Sequence, residues 1–414
     1  MTDEPRIALI GTLDTKGEEI AHVRDRLIGL GARPVVIDSG ILGEPGTSAD
    51  VTREEVAREA GYELERIQSA GSRGAAVELM VEGVRAVCLR LWLEGRLHGV
   101  LCLGGAEGAL LGAAAMHALP LGVPKVILTP SASGRRPFGP FVGESDVLVM
   151  HSVVDIIGLN PIARAVYDNA AAAVVGMARF AGAPLGDLGG RSVGITMLGH
   201  TTPAVMRMLP QLEAAGLAPV VFHANGVGGP AMERLIAAGA ISGVIDFTLS
   251  ELANSMHPTG IHATGPSRLT VAGKHGLPQL VVPGCVDFFN QGALADLPEQ
   301  YRDRKRYFHN PVATLVRLTA LEEAELGRIV AERLATARGP VQVLCPNRGF
   351  SLADIEGGDL WDPGADRAFI DSLRAALPPS IPFEEVDAHV DDPDFADLTV
   401  TRYLSLVKET ADVV

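Results

Sequence analysis

Short apolar runs recur along this chain, and segments with helical spacing separate them. The runs are Ile7–Ile10, Pro34–Ile37, Gly99–Leu103, Val126–Leu128, Val193–Met197, Pro219–Phe222, Gly243–Phe247, Gln279–Val282 and Val341–Cys345. Such alternation is typical of βαβ units, whose strands pair in parallel. We therefore predict an α/β fold built from Rossmann-like, doubly wound parallel sheets.

The pattern restarts halfway along the chain, after a linker-like segment at Ala183–Gly190. The segment Gly31–Ile37 (GARPVVI) aligns with Gly216–Phe222 (GLAPVVF), at an offset of 185 residues. Carried back without a gap, this offset places Ile10 on Ile195. Repetition of this kind predicts two domains related by duplication, residues 1–185 and residues 191–414.

The end of the chain is less regular. Helical spacing and good helix formers predict a helix over Glu322–Arg338, and Ile381–Val390 contains a late strand candidate. Within it, Phe383–Asp387 alternates between apolar and polar residues, which favours an edge strand. The sequence leaves open which sheet this strand joins.

Composition excludes several classes of function. A net charge of −15 without a run of Lys and Arg argues against nucleic-acid binding. No apolar run approaches the ~18 residues of a membrane span, and the polar N-terminus is unlike a signal peptide. The four cysteines are far apart and lack CxxC spacing, which favours a reduced cytoplasmic setting. A small-molecule ligand is the partner we expect.

The end of the first strand is the first candidate binding site. Gly11, Thr12, Asp14 and Lys16 lie between the apolar run and a helix-forming segment. In α/β proteins ligands bind at the carboxyl ends of strands, where the next helix presents unpaired N–H groups. These residues are therefore candidates to bind a phosphorylated or carboxylated ligand, although the glycine spacing is not that of a Walker loop.

Two further strand ends carry candidate cofactor-binding residues, namely Gly104, Gly105 and Gly108 after one strand and Ser131, Ser133 and Gly134 after another. Glycine lets a bound group approach the backbone, and hydroxyls suit an oxyanion. Glu107 in the first loop requires a neighbouring cation if a phosphate binds there. Tight helix packing is the alternative explanation for the glycines.

Asp155 lies within apolar residues, so we expect it to be buried and to need a partner. It is a candidate Mg²⁺ ligand together with Asp14, or else a helix cap.

The second half of the chain has more polar strand ends. The candidate catalytic residues are His223, Glu251, Asp287 and His309. The candidate substrate-binding residues are Thr201, Thr202, Asn225, Gly228, Gly229, Thr248, Cys285 and Asn290. Convergence of these residues at one sheet edge would place acid–base groups beside a glycine-rich anion site. Cys285 is either an activated thiol or a small buried hydrophobe. No zinc-binding spacing is present.

Taken in order, these motifs resemble the tomato mosaic virus resistance protein-like ATP-binding family. The matching segments are Gly11–Glu19, Ser152–Asn160, Thr201–Pro203, His223–Ala224, Gly228–Gly229, Ala231–Met232, Pro283–Gly284, Asp287, His309–Pro311 and Asp391–Ala396. The resemblance implies two Rossmann-like domains, ATP binding, and assembly into a homodimer or larger homo-oligomer. The first glycine loop departs from the family pattern Gly-Gly-Ser-Gly-Gly-Thr, because Ala106 and Ala109 replace the hydroxyl residues and Glu107 replaces a glycine.

Three hypotheses of function remain at this point. The first is an ATP-binding enzyme that acts on a small carboxylated metabolite in a cleft between the domains, with Mg²⁺ as a further cofactor. The second is a hydrolase or lyase that acts on an acyl or keto acid without ATP. The third is a nucleotide-binding module without catalysis.

Overall fold

A computed structural model describes residues 4–132, 139–180 and 191–411. The predicted linker and the candidate residues Ser133 and Gly134 lie outside these ranges. The chain divides into two compact units, Met1–Gly186 and Asp187–Val414. In the part that the structure describes, no helix is both long enough and apolar enough to cross a membrane.

The first unit is built on a five-stranded parallel sheet. Its strands are β1 (Arg6–Gly11), β2 (Arg33–Asp38), β3 (Gly99–Leu103), β4 (Lys125–Thr129) and β5 (Leu148–His151), in the order β2-β1-β3-β4-β5. Its helices are α1 (Leu13–Gly29), α2 (Arg53–Glu59), α3 (Leu64–Gln68), α4 (Arg73–Leu93), α5 (Ala106–Ala118), α6 (Gly139–Val142) and α7 (Pro161–Phe180).

Apolar residues on both faces of β1 create two cores in this unit. Ile7 and Leu9 pack in a core with α1 and α7, whereas Ala8 and Ile10 pack in a core with α2, α4 and α5. Successive side chains of a strand point to opposite faces, so an uninterrupted apolar run requires helices on both. The apolar runs seen in the sequence follow from this arrangement.

The second unit contains a six-stranded parallel sheet. Its strands are β6 (Ser192–Met197), β7 (Ala218–His223), β8 (Gly243–Thr248), β9 (Gln279–Gly284), β13 (Val341–Pro346) and β14 (Phe383–Val386), in the order β14-β13-β9-β8-β6-β7. Its helices are α8 (Thr202–Ala214), α9 (Gly228–Ala237), α10 (Ser250–Ser255), α11 (Val271–Lys274), α12 (Ala320–Leu334), α13 (Pro363–Ala376) and α14 (Pro393–Ala411). The late strand is at the edge of this second sheet, as its alternating sequence predicted.

A small antiparallel sheet, which the sequence patterns did not reveal, also belongs to the second unit. Its strands are β10 (Phe288–Gln291), β11 (Arg306–Asn310) and β12 (Ala313–Arg317), in the order β10-β12-β11. The strand β11 is largely exposed, so it lacks the apolar signal that marks the buried parallel strands. A turn at Asn310–Val312, in which the Val312 N–H donates to the Asn310 side chain (2.9 Å), connects β11 to β12.

The two large sheets share one strand order. Numbered within each unit, both run 2-1-3-4-5, and the second sheet adds one more strand. This is a doubly wound order, so the predicted fold class is confirmed. The helix before the second strand also ends alike in the two units. Gly31 (φ +71°) follows α1 and Gly216 (φ +81°) follows α8, and both adopt the left-handed conformation that closes a helix. Duplication stays a prediction that these features support.

The gap-free alignment of the two halves is wrong by one residue at the first strands. Ile10 pairs with Ile37, whereas Phe222, the counterpart of Ile37, pairs with Thr196. Ile10 therefore corresponds to Thr196 and not to Ile195. The first unit has one more residue between its first and second strands, and an offset read from the second strand cannot show this.

Candidate functional site

A cleft of about 980 Å³ lies at the carboxyl edge of the first sheet. Its walls come from the ends of β1, β2 and β3, from the segment before α4, and from Asp155. The strand order changes direction between β1 and β3, which is where ligands bind in doubly wound sheets. Of the predicted cofactor-binding and metal residues, the cleft is lined by Thr12, Asp14, Lys16, Gly105, Gly108 and Asp155.

The turn between β1 and α1 supplies one wall of this cleft. Thr12 is the N-cap of α1 but caps no N–H group with its side chain, and its hydroxyl contacts that of Thr15 (2.7 Å). Lys16 interrupts the helix with φ −129° and ψ 23°. Its half-buried side chain lines the cleft, and no carboxylate of the described residues forms an ion pair with it. This lysine is therefore available to an anionic ligand.

Asp14 is only partly satisfied by its neighbours. Its Oδ2 atom accepts from the N–H groups of Leu42 (3.4 Å) and Gly43 (3.1 Å). Its Oδ1 atom is buried and has no partner among the described residues. A buried oxygen without a partner is costly, so this atom is a candidate to bind a cation or a donor group of a ligand.

The loop after β2 is held by Asp38 and Arg53, which sequence reasoning did not identify. Asp38 Oδ1 accepts from the N–H groups of Leu13 (3.1 Å) and Gly40 (2.8 Å), and Asp38 Oδ2 lies 3.2 Å from Arg53 Nε. Burial raises the pKa of Asp38, against the opposing effect of these partners. Asp38 was detectable as a polar residue at a strand end, whereas nothing in the sequence connected Arg53 to it.

The glycines after β3 have different roles. A Cβ atom at Gly104 would lie 2.6 Å from the Cα of Gly108, so Gly104 is required for packing. A Cβ at Gly105 would meet no atom within 4 Å, and Gly105 begins α5 without a side-chain cap. Glu107 lies in the first turn of α5 and pairs with Arg73 (2.6 Å). The cation that Glu107 needs beside a phosphate is therefore present.

Of the other predicted residues of the first unit, Gly11 and Ser131 do not line the cleft, and Asp155 lines it from an exposed position. Gly11 serves packing, since a Cβ there would lie 2.5 Å from the Cδ1 of Ile20. Ser131 lies in a short turn, where its N–H donates to the Thr129 hydroxyl (3.2 Å). The expected burial of Asp155 is wrong. Its side chain is exposed, because the bent segment after β5 turns Ile156, and not Asp155, into the core.

In the second unit, Glu251 belongs to a buried ion network. Its Oε1 atom accepts from the N–H groups of Gly226 (2.9 Å) and Gly229 (3.1 Å), and its Oε2 atom accepts from Arg268 Nε (2.7 Å). Arg268 is fully buried and also pairs with Asp246 (2.7 Å). Both Glu251 oxygens thus have partners inside the protein, and the proposed role of Glu251 in catalysis stays a prediction.

Several predicted substrate-binding residues contact other residues of the second unit. A Cβ at Gly228 would lie 2.0 Å from the His223 carbonyl oxygen, and one at Gly229 would lie 2.0 Å from Glu251 Oε2. The Thr201 and Thr248 hydroxyls are buried and bond to each other (2.8 Å). Two more of these residues bond to nearby backbone groups. The Thr202 hydroxyl donates to the Leu198 carbonyl (3.2 Å), and the Asn225 side-chain oxygen accepts from the Val227 N–H (3.4 Å).

Asp287 lies in a second buried network. Its Oδ2 atom accepts from the Ser351 hydroxyl (2.8 Å), and its side chain is fully buried. Burial and the neighbouring Asp354 raise the pKa of Asp287 to about 7, although Arg317 opposes this. The same arginine pairs with Glu323 (2.5 Å). Asp287 is therefore surrounded by protein groups, and its catalytic role also stays a prediction.

Cys285 lacks the environment of a reactive thiol. It is fully buried, with a left-handed backbone (φ +55°). Burial first, and the nearby acidic residues second, raise its pKa well above the usual range. Activation requires a lowered pKa. The interpretation as a small buried hydrophobe is the one that this geometry favours.

Four histidines of the second unit form a group that we call the imidazole cluster: His200, His223, His262 and His309. The ring centroids of His200 and His309 are 5.9 Å apart. The pKa of His262 is lowered to about 4, chiefly by burial and also by the charges of His223 and His309, against an opposing hydrogen bond from Asn290. The structure thus brings together the predicted residues His223, His309 and Asn290. Sequence reasoning assigned no role to His200 and His262, because their proximity depends on loops and on the small sheet.

Together these features define a protein of two doubly wound α/β units, with a ligand-sized cleft in the first and clustered imidazoles in the second. Sequence profiles described as the N-terminal and C-terminal domains of an uncharacterised protein family, UPF0261, match residues 5–183 and 191–407. The chain belongs to the UPF0261 family.

Relatives of known sequence extend over the whole chain. A UPF0261 protein from Clostridium tetani is 35% identical over 98% of this chain and 99% of its own length. The ToMV resistance protein Tm-1(GCR237) of Solanum lycopersicum is 32% identical over 100% of this chain and 57% of its own length. The family resemblance inferred from the motifs therefore extends to a plant resistance protein. The bacterial relative matches this chain over nearly the whole length of both.

Solved structures resemble the chain only remotely. A C2-type ketoreductase from a modular polyketide synthase aligns over 99% of this chain and 89% of its own, with 15% identity and a TM-score of 0.22. A similarity of this size carries no inference about function.

Proposed function

We propose that this protein is a nucleotide-binding enzyme that holds ATP and Mg²⁺ in the cleft of its first unit and acts on a small carboxylated metabolite. The observation that carries the proposal is the position of Lys16. It lines a cleft at the point where the strand order reverses, and none of the described carboxylates pairs with it. The volume of about 980 Å³ is at the upper end of the ~300–1,000 Å³ range of small-molecule sites.

The walls of the cleft suit phosphate groups. The helices α1 and α5 begin at the cleft, and neither N-cap residue caps its helix with its own side chain. Asp38 accepts from the first N–H group of α1, so the first N–H groups of α5 and the Lys16 amine are the donors that can interact with phosphate oxygens. Arg73 offsets the charge of Glu107 at the same edge.

Mg²⁺ also fits this cleft, provided that the nucleotide supplies part of its coordination. Asp14, whose buried Oδ1 atom lacks a partner, and Asp155, which is exposed, are both residues of the cleft wall. Within the described residues, no group of three His, Cys, Asp or Glu side chains has metal-binding geometry. Mg²⁺ typically takes one or two carboxylates and completes its shell with phosphate oxygens and water, so these two residues are sufficient.

The altered glycine loop weighs less against ATP than its sequence suggests. Ala109 is fully buried and is not part of the cleft wall, so a hydroxyl there would not reach a ligand in the cleft. Ala106 does line the cleft. Compared with the family pattern, the wall of the cleft therefore lacks one hydroxyl group, the one at position 106, and not two.

The second candidate function is an ATP-independent hydrolase or lyase that acts on an acyl or keto acid. The imidazole cluster favours it, because imidazoles are the commonest proton-transfer groups in enzymes. Under this hypothesis the first cleft plays no part in turnover.

The third hypothesis, a nucleotide-binding module without catalysis, does not require the imidazole cluster. Cytoplasmic location, assembly into homo-oligomers and the absence of a nucleic-acid partner stay predictions.

A thermal-shift titration with ATP, with and without Mg²⁺, tests the proposal. A ligand that binds the folded state raises the melting temperature saturably. Lys16→Ala removes one charge-assisted contact to phosphate, so we expect ATP affinity to fall by at least about tenfold. The matched control is Lys274→Ala, which removes an exposed lysine of the second unit and should leave the titration unchanged. If wild-type protein shows no shift, or if Lys16→Ala binds ATP normally, the proposed site is wrong.

A further inference from the structure

The imidazole cluster is assembled from distant parts of the second unit. His200 follows β6, His223 ends β7, His262 lies between α10 and α11, and His309 lies in β11. The segment that carries His262 packs against the turn after β7, since a Cβ at Gly226 would lie 3.1 Å from the His262 carbonyl oxygen. Each element therefore contributes one ring to the same region.

Two nitrogens of the cluster lack partners. His200 is only 5% exposed, and its ring packs against Phe288 (5.3 Å) and Tyr307 (5.5 Å) between centroids. The Nδ1 atoms of His200 and His262 are buried, and neither has a hydrogen-bond partner among the described residues. A buried polar atom that nothing satisfies destabilises the fold. These nitrogens therefore point to a bound group.

The charge of the cluster indicates what kind of group this is. Ion pairs between histidine and a carboxylate, in the described part of the chain, are those of His22 and His257, and neither residue belongs to the cluster. Burial first, and the charge of His309 second, lower the pKa of His200 to about 4. The cluster therefore contains uncharged ring N–H donors and no negative charge of its own.

Two observations favour a carboxylate over a phosphate. No Lys or Arg side chain is paired with the cluster in the described structure, and phosphate sites usually contain one. The nearby N-terminus of α9 is occupied as well, because the N–H groups of Gly226 and Gly229 donate to Glu251. A carboxylate needs fewer donors, and the cluster with Asn290 can supply them.

We propose that the second unit binds a small carboxylate in the imidazole cluster. The inference does not depend on ATP binding. The exposed rings of His223 and His309 form the accessible side of this site, and the buried ring of His200 and the half-buried ring of His262 form its base.

A bound carboxylate also changes the protonation of the cluster. His262 faces His223 of β7, His309 of β11 and Asn290 of β10, whereas His200 faces His309 and Tyr307 of β11. None of these neighbours is an acid that is ionised at neutral pH, so the ligand brings the negative charge that favours protonated rings. A bound carboxylate therefore opposes the burial that lowers the pKa values of His200 and His262.

Calorimetric titration of the full chain with malonate tests this inference, and malonamide is the uncharged control ligand. The variants are His223→Gln and His309→Gln, which remove exposed rings, so the fold should be retained. We expect each to weaken malonate binding by at least about tenfold. His275→Gln removes another exposed ring of the same unit and should leave malonate affinity unchanged. Lys16→Ala should also leave malonate binding intact, even if it abolishes ATP binding.

Several outcomes would overturn the inference. One is the absence of saturable malonate binding up to about 20 mM, and another is equal binding of malonamide. Unchanged affinity in both cluster variants, or loss of malonate binding in Lys16→Ala, would place the ligand elsewhere. Loss of binding on addition of EDTA would indicate a metal-dependent site, and tighter binding of inorganic phosphate would refute the choice of a carboxylate.

Discussion

Replacing Glu251 with glutamine separates a structural role of this residue from a chemical one. The substituted side chain keeps an oxygen that can accept from Gly226 and Gly229, but it loses its charge. Its amide group then faces the Arg268 Nε–H, so two donors oppose each other where the structure has a 2.7 Å ion pair. Arg268 retains Asp246 (2.7 Å) as its partner in a fully buried position.

The magnitude follows from this burial. Both Glu251 and Arg268 are 0% exposed, so solvent cannot compensate for the lost charge. Breaking a buried ion pair by removing one partner typically costs about 3–5 kcal/mol. Since a domain is stable by only about 5–15 kcal/mol, Glu251→Gln should remove about a fifth or more of the stability of the second unit.

Urea unfolding followed by tryptophan fluorescence measures this effect. The chain has two tryptophans, Trp92 in the first unit and Trp361 in the second, so a Trp92→Phe background makes the signal specific for the second unit. Glu213→Gln changes an exposed glutamate of the same unit and should alter the free energy of unfolding by less than about 0.5 kcal/mol. A loss below about 1 kcal/mol in Glu251→Gln, with ligand turnover abolished, would refute the structural role and support catalysis.

Three further predictions concern packing, pH and thiol chemistry. Gly104→Ala should destabilise the first unit by about 1–3 kcal/mol because its methyl group has no space, whereas Gly105→Ala should leave the urea midpoint unchanged and weaken ATP binding. Burial raises the folded-state pKa values of Asp287 (to about 7) and Asp366 (to about 9). Aspartates of the unfolded chain release their protons above about pH 4, whereas these two keep theirs in the native second unit. Its free energy of unfolding should therefore fall as pH rises from about 5 to about 9, and a slope of the opposite sign in urea midpoints would contradict this. Finally, all four cysteines are buried, so a disulfide reagent such as DTNB should react with none of them in the native protein within minutes but with all four in denaturant. Rapid labelling of Cys285 in the native protein would contradict its raised pKa.

Much of the first site was accessible to sequence reasoning because it depends on local order. Thr12, Asp14 and Lys16 directly follow a buried strand, and Gly105 directly follows another. Parallel strands have their carboxyl ends on one edge, so residues at those ends approach each other in any such fold. Arg73 was not accessible in this way, since its pairing with Glu107 depends on how α4 packs against α5.

The second site was less accessible, because many polar residues follow its strands and their sequence positions look alike. Glu251 and Asp287 were grouped with His223 and His309 on that basis. The structure shows that Glu251 pairs with Arg268, which comes from a loop, and that Asp287 contacts Ser351, which comes from the segment after β13. Which strand-end residues face a ligand depends on which loops cover them.

By itself, the sequence determined the α/β class, the strands of both parallel sheets except the half-exposed β5, and the edge that carries polar residues. These features follow from periodicity within short segments, because burial on two faces requires uninterrupted apolar runs. Only the tertiary structure decided which glycines serve packing, which carboxylates are neutralised by buried arginines, and which histidines meet. Such contacts join residues that are far apart in the chain, and their free energies depend on burial and on the partner's position, which no local pattern contains.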